Sequence, residues 1–559
     1  MRKHLKAGKL LRRVAFGAVL LTALLGYAQR EQVFTTRDKA FFADPKTVSF
    51  VRPGLVLKIV GTEVKADGSL RAHFTLTDPK GLPLDRDGIV TPGSVSTSFM
   101  AAYIPAGQTQ YVNLTTRVQT SPITNTSATQ GGTDSGGTYE KVADGEYWYN
   151  FKTKLPATDD PKATHTVGAY SSRNLSEFDL GTQYSDAVYN FVPSGGAVTV
   201  TRAVVNTANC NQCHDPLSAH GGARKSVELC VLCHNPQSKD PDTGNTIDFP
   251  VMVHKIHRGS SLPSVVAGGK YQIIGFNNSV NDYSTVTSPT DVRNCAICHV
   301  ALTGQVKLVQ QDAWYKANRA ACGACHDNVN FATGENHVDL PQVSDNQCSQ
   351  CHIPQGELEF DASILGAHTI PEKSRDLPGT VFGMVKVDDG TAGKKPTVTF
   401  TLKDKAGKPI LPSEMTRFAL VLAGPTADYA SYVSEDARKA TGSNGTYSWT
   451  FANALAADAK GTFTIGAEGY RNVTLLPGTK KEMLVRDAGA NTTISFAVGG
   501  TPLAARRKIV DIAKCNTCHT SLSLHGGNRN QIEQCVLCHN PNTTDVGTRP
   551  AALAPAQSV

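Results

Sequence analysis

Residues 210–236 read CNQCHDPLSAHGGARKSVELCVLCHNP, and residues 515–541 read CNTCHTSLSLHGGNRNQIEQCVLCHNP. Eighteen of these 27 positions are identical without a gap. Each segment carries two copies of Cys-x-x-Cys-His. The chain repeats that motif seven times, at Cys210/Cys213, Cys230/Cys233, Cys295/Cys298, Cys322/Cys325, Cys348/Cys351, Cys515/Cys518 and Cys535/Cys538, which uses all 14 cysteines. In this motif two thiolates add across the vinyl groups of a haem to form thioethers, and the next histidine ligates the iron. The spacing therefore assigns the cysteines as attachment points for seven haems c, with His214, His234, His299, His326, His352, His519 and His539 as proximal ligands. Zinc requires four converging ligands and gives no reason for a histidine after every second cysteine. A disulfide framework places no demand on the residue after each cysteine.

The second ligand decides whether a haem carries electrons or performs chemistry. Of 16 histidines, seven belong to the motifs, His4 lies at the extreme N-terminus, and His73 and His165 lie in a cysteine-free region. Five of the remaining six, His220, His254, His257, His337 and His368, fall in the stretch with five motifs, so those haems are expected to be bis-histidine, low-spin and saturated. Methionine is a poor rival, since Met252 is the only one in that stretch. The pair His254/His257 is spaced i, i+3, so on a helix both rings share a face and can serve two haems. His525 is the sixth candidate, one distal partner where two motifs need one each. The imbalance is read as a chain cut short of further haems, with a finished heptahaem protein carrying one open iron as the alternative.

Identity between the two quoted segments exceeds what shared motifs require and indicates duplication, so His220-Gly-Gly and His525-Gly-Gly are equivalent. The cysteine-free regions repeat in the same order: Phe74-Thr-Leu-Thr-Asp with Phe400-Thr-Leu-Lys-Asp, Gly145-Glu-Tyr-Trp-Tyr with Gly445-Thr-Tyr-Ser-Trp, and Thr166-Val-Gly-Ala with Thr464-Ile-Gly-Ala. Period-two alternation broken by Asp/Gly/Pro turns predicts antiparallel β-sandwich or barrel domains. The organisation read from the chain is a signal peptide (1–28), a β-domain (29–205), a pentahaem domain (206–377), a second β-domain (378–505) and the start of a second haem domain (506–559). The haem segments are expected to hold short helices and irregular connections, because porphyrins supply most of their core.

Residues 1–28 combine six basic residues, a short apolar run from Val14 and small residues at Gly26-Tyr27-Ala28. That pattern reads as a cleavable export signal, with a membrane anchor as the alternative. No cysteine directly follows the apolar run, so no lipid anchor is expected at the mature N-terminus. Without this segment the formal charge of +7 falls to 49 basic against 48 acidic side chains. Haem propionates make the holoprotein anionic. No basic run or interleaved Arg/aromatic pattern suggests nucleic acid.

The alternation of β-domain and haem domain, with the CxxCH, His-Gly-Gly, CxxCHNP and His-Lys-Ile-His signatures, resembles the outer-membrane decahaem cytochromes of the OmcA/MtrC type. The resemblance implies Greek-key-type β-domains beside a haem wire. It also implies display at the cell surface with peripheral association to the outer membrane. The implied electron route runs from an outer-membrane conduit or periplasmic cytochromes to metal oxides, metal chelates or flavins. The sequence departs in lacking a lipobox cysteine, in lacking cysteines in the second β-domain, and in holding two haem motifs after it. Terminal reduction, if any, would be outer-sphere at a haem edge, with no catalytic residue. A periplasmic relay and a multihaem reductase with one open iron are the competing readings.

Overall fold

The computed structural model describes residues 33–305 and 307–545, so the 1–28 signal reading lies outside the described residues. Alternation of apolar and polar side chains in Ser69–Thr77 and Glu146–Lys154 buries one face of each strand, as half-buried antiparallel strands require. The first β-unit is a sandwich of two four-stranded antiparallel sheets. One runs Val56–Val64, Ser69–Thr77, Glu146–Lys154, Thr138–Ala143; the other runs Thr182–Phe191, Thr164–Asn174, Val95–Ile104, Val112–Asn113. Between them lies an apolar core that includes Phe74, Leu76, Phe99, Tyr149 and Val167. Sandwich, rather than closed barrel, is thus the form adopted.

The second β-unit repeats the plan. One sheet is Val381–Asp388, Thr397–Lys403, Thr446–Thr450, Thr441–Ser443; the other centres on Gly461–Leu475, flanked by Arg417–Gly424 and by Met483–Ala488 and Thr492–Val498. Even a register irregularity recurs, between Ile59 and Gly61 opposite Phe74 and between Met384 and Lys386 opposite Phe400. Bulges kink a strand and raise its twist, so keeping one at the same place keeps the sheet's curvature.

Haem-motif segments look different. Their longest helix is Phe249–Arg258, of 10 residues; most others span four to seven. Few apolar side chains there are buried, chiefly Val227, Leu229, Val231 and Leu232, and these belong to a helix docked on the first sandwich. Docking needs a flat seat. Gly168 provides it, since a Cβ there would lie 2.5 Å from Leu232 Cδ1. Gly466 does the same for the helix Ile532–Cys538, beneath Gln534 and Leu537. Among the described residues no helix is long and apolar enough to cross a membrane.

Candidate haem centres

All seven motifs close one helical turn in the same way. The histidine amide donates to the carbonyl of the first cysteine at 2.9–3.0 Å, as in His234 to Cys230 and His519 to Cys515. Positions i, i+3 and i+4 of a helical turn share a face, so both thiols and the imidazole converge on one side. Burial is the main force raising the thiols of Cys210, Cys295 and Cys538 to about 11 and that of Cys230 to about 12. An uncharged thioether suits such a seat better than a thiolate.

Four motif cysteines, Cys213, Cys298, Cys322 and Cys351, are exposed. The spacing assigns Cys351 as an attachment point like the other 13, and its thiol lies at the C-terminal end of the helix Cys348–Cys351. The local turn is nonetheless intact, with the His352 amide donating to Cys348 O at 2.9 Å. Attachment at Cys351 therefore rests on motif spacing and this turn, without the burial seen at Cys230.

The distal histidines meet the motif histidines one to one in the first haem segment. Ring centroids are 6.3 Å apart for His214/His257, 5.8 Å for His234/His220, 6.3 Å for His299/His254, 6.3 Å for His326/His368 and 6.2 Å for His352/His337. In the second segment His539 faces His525 at 6.0 Å. An imidazole nitrogen sits about 2.0–2.1 Å from a first-row metal, so two rings bonding one iron from opposite sides have centroids about 6 Å apart. The observed separations match that. Among the described residues no second imidazole faces His519, which lines a cavity of about 390 Å³ together with Gln212, Ile297 and Asn516.

Backbone geometry explains how the rings are presented. On the helix Phe249–Arg258, the i, i+3 pair divides its service: His254 meets His299, and His257 meets His214. His220 and His525 both adopt left-handed backbone, with φ of 51° and 53°, followed by two glycines also at positive φ. That tight turn folds each ring back over the next motif in the chain. Asp327, next to motif residue His326, accepts from Lys255 Nζ at 2.8 Å and from the Ser264 amide at 3.0 Å, tying the distal helix to the fourth motif.

The ring nitrogens are selective. Nδ1 donates to a backbone carbonyl in His234 (Ile247, 3.0 Å), His257 (Val253, 2.9 Å), His337 (Leu340, 2.8 Å), His352 (Ala362, 2.9 Å) and His368 (Ile364, 2.6 Å). A carbonyl only accepts, so Nδ1 holds the proton and Nε2 is left as a lone-pair donor, the arrangement typical of ligating histidines. Burial pushes His254 and His299 down to about 4, and other histidines nearby add to it. Both rings are therefore neutral at pH 7, as ligation requires. His165 is held otherwise: Nδ1 lies 3.0 Å from Ala163 O and Nε2 lies 2.8 Å from Asp159 Oδ1, leaving no nitrogen for iron. His73 stacks on Trp148 with its Nε2 2.7 Å from Glu146 Oε1.

Motifs also touch one another, which sequence did not reveal. Asn209 Nδ2, beside Cys210, donates to Ile297 and Val300 carbonyls of the third motif at 2.9 and 2.8 Å. Cys518 Sγ of the sixth motif lies 3.0 Å from Gln212 O of the first, and Lys373 Nζ reaches Thr520 O at 3.1 Å. Thiols close enough to shift each other's acidity are Cys210 with Cys298, Cys295 with Cys325, Cys322 with Cys348, Cys230 with Cys210, and Cys535 with Cys515. The contacts trace a line through the fifth, fourth, third, first and sixth motifs, with the second and seventh as side branches.

Residues 202–363 and 507–557 match the family model described as outer membrane cytochrome MtrC/MtrF-like, domains II/IV. In these segments the chain resembles the OmcA/MtrC type. A single model matching both haem segments agrees with their duplication. Over 285 residues, 49% of its length, the chain is 26% identical to the multiheme cytochrome MtrC of Shewanella baltica (strain OS185). That match spans 37% of the relative's length, well under half of it. The fold is similar to the crystal structure of the outer membrane decaheme cytochrome OmcA, with TM-score 0.65, 22% identity, and 88% of this chain and 78% of that one covered. It is also similar to the structure of MtrC from Shewanella baltica OS185, with TM-score 0.61, 20% identity, and 88% and 81% covered. By their names, that relative is a multiheme cytochrome and OmcA a decaheme one.

Proposed function

We propose that the chain conducts electrons through seven covalently bound haems c, from a conduit in the outer membrane to acceptors outside the cell. The 14 motif cysteines, the exposed Cys351 included, would form the thioethers, and the seven motif histidines would ligate from the proximal side. His257, His220, His254, His368, His337 and His525 would complete six of the irons. Bound there, haem supplies a one-electron ferric/ferrous couple. The residues would hold it saturated by two imidazoles, and five of the twelve paired rings have their tautomer fixed by a backbone carbonyl. That arrangement favours electron transfer over substrate ligation. The one-to-one meeting of five distal with five motif histidines carries this reading.

The line of motif contacts supports a wire that crosses from the first haem segment to the second at Gln212/Cys518. Ferric or manganese oxides, metal chelates and soluble flavins are the acceptor chemistries in keeping with the OmcA/MtrC type, and surface display with peripheral attachment to the outer membrane is the location. Protease treatment of intact cells expressing the gene, followed by haem staining, tests the location. Loss of the haem band is expected. Protection until the outer membrane is broken would make the protein a periplasmic relay.

A further inference from the structure

The duplicated strands differ at one position that faces a haem seat. Thr166-Val-Gly-Ala is followed by Tyr170, and Thr464-Ile-Gly-Ala by Glu468. Each lies two residues beyond the glycine that seats the haem helix, and therefore on the same sheet face. Opposite Tyr170 stands Arg224, and opposite Glu468 stands Arg529; the two arginines occupy the same place in the repeat. Arg224 packs its guanidinium 4.6 Å from the Tyr170 ring centroid and donates weakly to the phenol oxygen at 3.3 Å. Its buried Nε has no hydrogen-bond partner. Arg529 instead donates to the Glu468 carboxylate from Nε at 2.7 Å and Nη2 at 2.9 Å.

Glu468 is fully buried and takes two further donors, Gln534 Nε2 at 2.9 Å and Arg417 Nη2 at 3.0 Å. Gln534 replaces Leu229 of the first copy, so the helix changed together with the strand. Burial opposes ionisation of Glu468, but the donors outweigh it and hold the carboxyl below its usual range. The carboxylate is a fixed charge at neutral pH, within electrostatic reach of His525, Cys535 and Cys538.

The first copy has a carboxylate too, placed elsewhere. Asp186, paired with Tyr170 across the strand ladder, accepts from the Lys225 and Ser226 amides at 2.9 and 2.8 Å, at the start of the haem helix. In the second copy Asn491 takes that task, accepting from the Asn530 amide at 2.7 Å. Both seats thus hold one carboxylate and two nearby arginines: Asp186 with Arg224 and Arg117, and Glu468 with Arg529 and Arg417. Only in the second is the carboxylate paired with the arginine beside the axial histidine. In the first, Arg224 acts on His220, His234 and Cys233 without a paired anion.

We infer that the Tyr170/Glu468 exchange sets the two duplicate haem sites to different potentials, the Cys230 site higher and the Cys535 site lower. A carboxylate beside a haem favours the more positive ferric state, and an unpaired guanidinium disfavours it. The inference rests on the proposed haem assignment at both motifs.

Two substitutions in the full holoprotein test it by redox titration of the haem absorbance. In E468Q one midpoint rises, and in R224Q a different midpoint falls, with haem mass and low-spin content unchanged in both. Titrations of both variants that superimpose on the parent, with every haem attached, would overturn the inference and leave the haem assignment standing. A parent mass lacking a haem at Cys230 or Cys535 would instead overturn the assignment beneath it.

Discussion

His165 in the first sandwich and His254 on the helix Phe249–Arg258 belong to regions that use histidine in opposite ways. His165 is fully buried, with a carbonyl on one nitrogen and a carboxylate on the other. His254 is half-buried, its buried Nδ1 has no partner, and its ring stands opposite that of His299. In the sandwich, histidine satisfies polar groups of a core already closed by Phe, Leu and Val. In the haem segment, few apolar side chains close anything, and six pairs of rings sit at the separation that one iron would set. The lesson concerns the second nitrogen: a histidine with both nitrogens engaged is structural, whatever its burial.

Substitutions on either side of that contrast should have unlike effects. H254A is expected to have the largest, converting one haem from low-spin to high-spin or solvent-ligated, visible as a new charge-transfer band near the red end of the spectrum. The rest of the spectrum should stay. No change on H254A would remove His254 from the ligand set and break the pairing with His299. H165A should leave the haem spectrum untouched while lowering the stability of the first sandwich by about 2 kcal/mol, because Asp159 is left buried without its partner. Chemical denaturation followed by tryptophan emission measures this, and a haem spectral change on H165A would blur the distinction between the two classes.

Much of this was legible in the sequence, for particular reasons. The motif histidines follow from covalent chemistry at fixed spacing, and the five distal ones from a count that matches the motifs. Strand alternation at Phe74 and Phe400 announced the sandwiches. Pairing of rings was not legible, since it depends on how a loop such as His220-Gly-Gly turns back over the next motif, or how one helix reaches two motifs 40 or more residues away in either direction. Nor was the exposure of Cys213, Cys298, Cys322 and Cys351, because seven motifs of one spacing give no sign of which thiols face outward. Contact between Gln212 and Cys518 spans 306 residues and leaves no local trace. The exchange of Tyr170 for Glu468 lies one residue beyond the quoted repeat match. It acquires meaning only from Arg224 and Arg529 packed against it.

The account stands most directly on the spin state of the irons. Low-temperature EPR of the oxidised full chain, quantified against total haem from the pyridine haemochrome, should show low-spin ferric haem as the dominant species, with at least six such centres per chain. A spectrum dominated by high-spin ferric haem would contradict the bis-histidine pairing, and with it the reading of this chain as an electron wire.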